Sequence, residues 1–154
     1  DGELIRTPLT STKKQSTGTV VLWKPDLEVF TDVNIPHDFF RDVLHRQSVV
    51  NAGISFILLI EQEDKTFTEE KFLYENGISD YITELAGEAS LTAPVLWHME
   101  AQGRDREDKD DYKVLINAAV AFSNKVQFKE YYHNSSWLEH GGAPDKAVRI
   151  VITE

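Results

Sequence analysis

The stretch Pro36-His37-Asp38-Phe39-Phe40-Arg41-Asp42-Val43-Leu44-His45-Arg46-Gln47-Ser48-Val49-Val50-Asn51-Ala52-Gly53, followed by Ile54-Ser55-Phe56-Ile57-Leu58-Leu59-Ile60-Glu61, decides the fold class. Phe39, Phe40, Val43, Leu44, Gln47 and Val50 recur on a 3.6-residue period with one polar interruption, which predicts a helix over residues 36–52. Pro36 suits a first helical turn, and Gly53 is the expected stop. Residues 54–61 are so apolar that a strand covered on both faces is expected. A helix that runs straight into a strand makes the chain a mixture of the two.

Outward from that core the pattern continues. Residues 1–17 are polar and rich in threonine and serine, so they read as an arm or linker. Gly18-Thr19-Val20-Val21-Leu22-Trp23 is β-branched and aromatic and predicts a strand; Lys24-Pro25-Asp26 predicts a turn, and residues 27–30 a short edge strand. Downstream, residues 62–69 form an acidic hairpin loop and 70–75 its partner strand. Residues 77–86 predict a short helix with Ile78, Tyr81, Ile82 and Leu85 on one face, ended by Gly87. Strands are expected at 95–100, 114–122 and 126–132. A charged loop is expected at 103–111, a turn at Asn124-Lys125 and a polar loop at 134–140. A final helical pattern follows Gly141-Gly142, with Pro144 near its start and Ala147, Val148 and Val151 inward. It runs into Glu154 without a stop signal, so the sequence is expected to continue in a longer protein. The element order predicts an α+β fold, a mixed or antiparallel sheet with helices packed on it, in one domain over residues 18–154 truncated in its last helix.

Composition narrows the function. The chain has 154 residues, 41% of them apolar, enough for one core and too few for two. Sixteen basic against twenty-six acidic residues give a net charge of −10, which argues against a basic nucleic-acid clamp or binding to an anionic membrane surface. The absence of cysteine excludes disulfides, thiolate metal sites and cysteine nucleophiles. The longest strongly apolar run, Ile54 to Ile60, is far short of the roughly 20 residues that span a bilayer. Asp1-Gly2-Glu3 lacks the basic start and apolar stretch of a signal peptide, and a cytoplasmic location is expected.

Each motif with chemical potential has a simpler reading beside it. Asp105, Asp108, Asp110 and Asp111 gather oxygens that suit a hard cation. Arg104, Arg106 and Lys109 neutralise them, and the glycine of a calcium loop is missing, so a solvated hairpin loop is simpler. His133, Glu139 and His140 flank a loop without the spacing of a zinc site. His98 and Glu100 share one strand face as a surface pair. Gly77-Ile78-Ser79 lacks the second glycine of a serine-hydrolase elbow, and no phosphate-cradling glycine-rich lysine loop occurs. Gly141-Gly142 before a helix could offer amides to an anion or simply turn tightly. Asn134-Ser135-Ser136 fits a glycosylation acceptor without secretory context. Trp23, Trp97 and Trp137 are not interleaved with basic residues as a base-stacking platform would be. Arg41 and Arg46 are candidate phosphate contacts, with Asp38 and Asp42 beside them. No catalytic, cofactor-binding or metal constellation emerges. The residues describe an acidic mechanical or binding module.

Several segments, in order, resemble the B subunit of bacterial type IIA topoisomerases, DNA gyrase and topoisomerase IV. Thr17-Gly18-Thr19-Val20-Val21-Leu22-Trp23-Lys24-Pro25-Asp26 is similar to the family's Thr-Gly-Thr strand ending in Phe-Trp-Pro-Asp, with one lysine inserted. Glu28-Val29-Phe30 resembles its Glu-x-Phe, and Val49-Val50-Asn51-Ala52-Gly53 stands where it has Phe-Leu-Asn-x-Gly. Phe72-Leu73-Tyr74-Glu75-Asn76-Gly77 resembles Phe-x-Tyr-Glu-Gly-Gly, and Glu139-His140-Gly141-Gly142-Ala143-Pro144 resembles Glu-Gly-Gly-Thr-His. Asn76, Ala143 and Pro144 depart from that pattern, as do Ala119-Val120-Ala121-Phe122 where a tryptophan often ends the strand.

The resemblance implies the transducer domain of a GHKL-type ATPase, with a left-handed βαβ crossover. That domain couples Mg-ATP binding and dimer closure in a preceding domain to DNA strand passage by the cleavage core. It implies as partners the ATPase and cleavage-core regions of the same subunit, the A subunit and DNA, and no membrane. The family's ATP-contacting Gln-Thr-Lys is missing from the chain, so no cofactor is expected in this piece; Mg-ATP belongs to the parent enzyme. The competing readings are a stand-alone acidic protein-binding module and a small metal-dependent enzyme using the 103–111 loop.

Overall fold

The computed structural model describes residues 17–22 and 25–153, and the chain divides into two units, Asp1–Ile35 and Pro36–Glu154.

In the first unit the strands expected at residues 18–23 and 27–30 are not present among the described residues. Residues 17–22 belong to no ladder, and Val20 and Leu22 are each 91% exposed. β propensity alone does not make a strand, which needs a neighbouring edge to satisfy its N–H and C=O groups. Trp23 lies outside the described residues. Residues 27–30 fold as a turn. The N–H groups of Val29 and Phe30 donate to the Asp26 carbonyl at 3.1 and 2.9 Å, and that of Glu28 donates to Asp26 Oδ1 at 2.9 Å. The aspartate side chain competes with any strand ladder here.

The second unit carries the architecture. Helix α1 (His37–Val50) leads to β1 (Phe56–Glu61) and β2 (Phe67–Phe72), then α2 (Ile78–Ala86) and a 3₁₀ turn (Gly87–Ala89). Strands β3 (Val95–Gly103) and β4 (Tyr112–Val120) follow, then β5 (Tyr132–His133), β6 (Ser136–Trp137) and α3 (Gly142–Thr153). The fold is α+β. Its strands form three separate antiparallel pairs, β1–β2, β3–β4 and β5–β6. Among the described residues no two strands pair in parallel, so no βαβ crossover of either hand occurs there.

Helix α1 ends where its sequence says it must. Asn51 closes the last turn by donating its N–H and its Nδ2 to the Gln47 carbonyl at 3.1 and 2.8 Å, and Gly53 then takes a φ of 74°. The Gly53 N–H donates to the Tyr74 carbonyl at 2.9 Å, which ties the end of α1 to the chain leaving β2. Ser48 is fully buried in the helix, and its hydroxyl is satisfied by the His45 carbonyl at 2.7 Å.

β1 alternates rather than burying both faces as the apolar run suggested. Phe56, Leu58 and Ile60 are the less exposed set, while Ile57 and Leu59 are half-exposed opposite Lys71 and Glu69. A two-stranded ribbon with α1 packed on it has one cover for two faces. β2 begins three residues earlier than expected. Asp64 accepts the Thr66 N–H at 3.0 Å and its hydroxyl at 2.6 Å, and Lys65 takes a φ of 69°, so the loop shrinks to a tight turn.

The long hairpin β3–β4 reaches further into the charged loop than expected, β3 to Gly103 and β4 from Tyr112, while β4 stops at Val120 instead of 122; it packs against α2 through β4. The strand expected at 126–132 is replaced by a short hairpin. The hydroxyl of Ser123 accepts the N–H groups of Lys125 and Val126 at 3.2 and 3.1 Å and turns the chain away from β4. Only Tyr132-His133 enters a ladder, closed by Asn134 at a φ of 52°. The loop expected at 134–140 therefore contains β6. Among the described residues the buried apolar side chains are Val49, Ile60 and Ala86, one each from α1, β1 and α2, and they mark where the core sits.

Candidate functional site

The densest convergence of functional side chains in the second unit lies where α1 and α2 meet the segment running through β5 and β6. α1 supplies His45 and Arg46 at adjacent positions, so the two point to different sides of the helix. Tyr74 comes from the link after β2, Tyr81 and Glu84 from α2 at i and i+3, and Phe128, Glu130, Tyr132 and Trp137 from the last third of the chain.

Around His45 three rings meet edge to face. Its imidazole centroid lies 5.6 Å from Tyr74 and 5.2 Å from Tyr81; Tyr74 and Tyr81 are 5.6 Å apart, and Tyr81 continues to Phe128 at 5.7 Å. A polar chain threads the same rings. Tyr74 donates its hydroxyl to Glu84 Oε2 at 2.7 Å, and His45 Nε2 lies 3.0 Å from the Tyr74 oxygen. A phenol has one proton to give. With that O–H directed at Glu84, the imidazole serves as donor to the Tyr74 oxygen, which sets its tautomer. On the other side of α1 the Arg46 guanidinium stacks 3.9 Å above the Trp137 ring and lies 4.0 Å from Glu130, which accepts the Tyr132 hydroxyl at 2.7 Å.

The electrostatics point away from acid–base work. Burial first, and the Glu84 carboxylate second, push the Tyr74 phenol upward; burial and Glu130 do the same to Tyr132. Tyr81 is pushed up to about 12, chiefly by burial and then by the Glu130 charge. Phenols held neutral in this way act as donors and packing surfaces, not as tyrosinate nucleophiles.

The shift has a stability consequence. An unfolded tyrosine ionises near 10, while the folded phenols hold their protons until higher pH. Between pH 10 and about 12 the unfolded chain therefore binds fewer protons, and stability falls as pH rises. The expected result is that ultraviolet phenolate absorbance lags in the folded chain relative to the urea-unfolded chain, with the denaturation midpoint dropping across that window. Coincident titration curves would contradict it.

Arg41 and Arg46 do not share a face. Five residues apart on one helix, they diverge. Arg41 donates Nε and Nη2 to both oxygens of Glu70 at 2.7 and 2.6 Å, and Nη1 to Asp38 at 2.7 Å. These bonds, Glu70's first, raise the guanidinium and hold the Glu70 carboxyl below its usual range. Both arginines are thus held in contacts that organise α1.

The other candidates separate. His98 Nδ1 lies 2.6 Å from Asn117 Oδ1, and Arg104 bonds Asp111 across the charged loop. Among the described residues no three His, Asp or Glu side chains converge as metal ligands. Gly141 and its neighbours line a cleft of about 250 Å³ with Lys129, His140 and Asp145. Lys129 and Arg149 both bond Asp145 at 2.7 Å and hold its carboxyl down at about 2. The aromatic junction itself was not among the sequence candidates. Its one local signal is Tyr81, a polar-tipped ring on the expected inward face of α2; His45 lies off the apolar period read for α1.

No family model matches the chain, and no solved structure matches it. It is similar to the DNA gyrase B subunit of Mycoplasmoides gallisepticum, 28% identical over 128 residues that cover 83% of this chain and 19% of that protein. It is likewise similar to the DNA gyrase B subunit of Staphylococcus aureus, 32% identical over 141 residues that cover 89% of this chain and 20% of that protein. The chain thus spans about a fifth of the length of the curated relatives it matches. These similarities support a domain related to the B subunit of a type II topoisomerase. No helix among the described residues is long and apolar enough to cross a membrane.

Proposed function

From the relationship to the DNA gyrase B subunit, we propose that this chain is the transducer domain of a type IIA topoisomerase B subunit. Its task is to carry ATP-driven closure of a preceding domain to the DNA-cleaving core, so that one duplex passes through another. Mg-ATP, the A subunit and DNA are ligands and partners of the parent complex, and this piece supplies the mechanical link. Arg41 and Arg46 remain the proposed DNA contacts, each at the cost of an internal bond.

The observation that carries this reading is the junction of His45, Tyr74, Tyr81 and Arg46. It locks two helices and a distal hairpin together through rings and hydrogen bonds, and its phenols are held neutral. Coupling requires an element whose contacts differ between two states, and a stiff interlocked junction suits that better than a pocket does. Exposed apolar side chains on β3 and β4, among them Trp97, Met99 and Ile116, also suit a domain that works between neighbours.

The test is direct. The 154-residue chain alone is expected neither to hydrolyse ATP nor to relax supercoiled DNA. ATP turnover by the purified chain that survives removal of contaminants would overturn the proposal.

A further inference from the structure

β3 is nine residues long and pairs on one side only, with β4. Among the described residues nothing pairs with its outer edge. A long free edge offers a row of N–H and C=O groups, and proteins usually blunt such an edge with proline, lysine, inward charge or a bulge. Val95-Leu96-Trp97-His98-Met99-Glu100-Ala101-Gln102-Gly103 contains no proline or lysine, and its register with β4 runs without a bulge. Most of its residues are exposed.

The strand is also complementary to itself. An antiparallel copy related by a two-fold axis through Met99 brings His98 opposite Glu100 of the second copy, and Glu100 opposite its His98. Trp97 then faces Ala101, Leu96 faces Gln102 and Val95 faces Gly103, a large residue against a smaller or flexible one each time. The neighbouring registers that keep the same faces together set His98 against His98, or Glu100 against Glu100. Opposed unlike charges stabilise cross-strand pairs and like charges destabilise them, so the Met99 register is favoured. Within one chain Glu100 already takes the Lys113 ammonium at 2.8 Å, and His98 Nε2 lies 4.0 Å from Glu100 on the same face. The strand itself carries a single acid, Glu100.

We propose that the outer edge of β3 is an interaction surface for a second copy of this chain, joined antiparallel about Met99 into a four-stranded sheet. This pairing is isologous, as closed dimers are, and is independent of the transducer role.

The experiment is sedimentation equilibrium of the 154-residue chain up to hundreds of micromolar. A monomer–dimer equilibrium is expected. His98→Glu, which sets a carboxylate against Glu100 of the other copy twice per dimer, is expected to weaken it about tenfold or more. The exchange His98→Glu with Glu100→His restores unlike pairs and is expected to recover the wild-type constant to within about threefold. Glu100→His alone, opposing two imidazoles, tests the same register should His98→Glu fail to fold, with far-ultraviolet dichroism as the folding control. A monomeric mass at every concentration overturns the proposal, and slow amide exchange along β3 in that monomer assigns the edge a cover within the chain. A dimer indifferent to His98→Glu, or one the exchange variant does not recover, also overturns it.

Discussion

Gly77→Ala is expected to lower stability by about 3 kcal/mol, the sum of a backbone and a packing penalty. Gly77 holds φ 57° and ψ −125° at the start of α2, a conformation that side chains disfavour by about 1–2 kcal/mol. A Cβ there would also sit 2.9 Å from the Val49 carbonyl oxygen and 3.0 Å from the Ala52 Cβ. Val49 is 1% exposed, so its backbone has nowhere to retreat. For a chain of this size the melting point should fall by roughly 6–12 °C. Gly87 provides the control. Its backbone is nearly the same, at φ 46° and ψ −139°, yet a Cβ there meets nothing within 4 Å. Gly87→Ala should therefore cost only about 1–2 kcal/mol of backbone strain, and the difference between the two variants isolates the contact of α2 with α1. Equal losses would mean that the close approach contributes nothing.

Tyr81→Ala is the second large effect. The ring touches His45, Tyr74 and Phe128 from three directions, and truncation leaves their edges facing a void. Burying that ring is partial, so about 3 kcal/mol, the lower end for aromatic truncation, is expected. Tyr81→Phe keeps the rings and loses only a hydroxyl near Glu130, so it should stay within about 1 kcal/mol of wild type. Chemical denaturation of the pair decides it. A phenylalanine variant as weak as the alanine variant would mean that the hydroxyl, not the ring stack, holds the junction.

What the sequence disclosed was local. α1 was legible as a helix because its start at Pro36, its apolar period and its stop at Gly53 all lie within one stretch, but its buried face is another one: Ser48 and Val49 are buried while Phe39 and Val43 of the expected face are exposed. The α+β class followed from it. β2 was displaced because its position hangs on Asp64, whose turn chemistry shortens the loop. The strand expected at 126–132 is absent except for Tyr132, and residues 18–22 lie in no ladder among the described residues, because β propensity says nothing about whether a partner edge is present. The site was hidden for a related reason. Glu70 and Glu130, which hold Arg41 and approach Arg46, lie far from them in sequence, and Tyr74 and Tyr132 read as strand residues and Tyr81 as a helix-face residue until α1 and α2 are set side by side. Aligned motifs disclosed the relationship to the gyrase B subunit, which no periodicity could supply.

The central proposal is that this chain transmits force without performing chemistry. Tyr74→Phe, placed in the parent topoisomerase that the proposal implies and assembled with the A subunit it implies, tests it most directly, with ATP turnover and DNA strand passage measured side by side. The substitution keeps the ring stack and removes the bonds to Glu84 and His45. ATP turnover should stay within about twofold while strand passage per ATP falls about fivefold or more, the loss of roughly 1 kcal/mol of coupling. Strand passage and turnover declining in proportion, or neither changing, would contradict it.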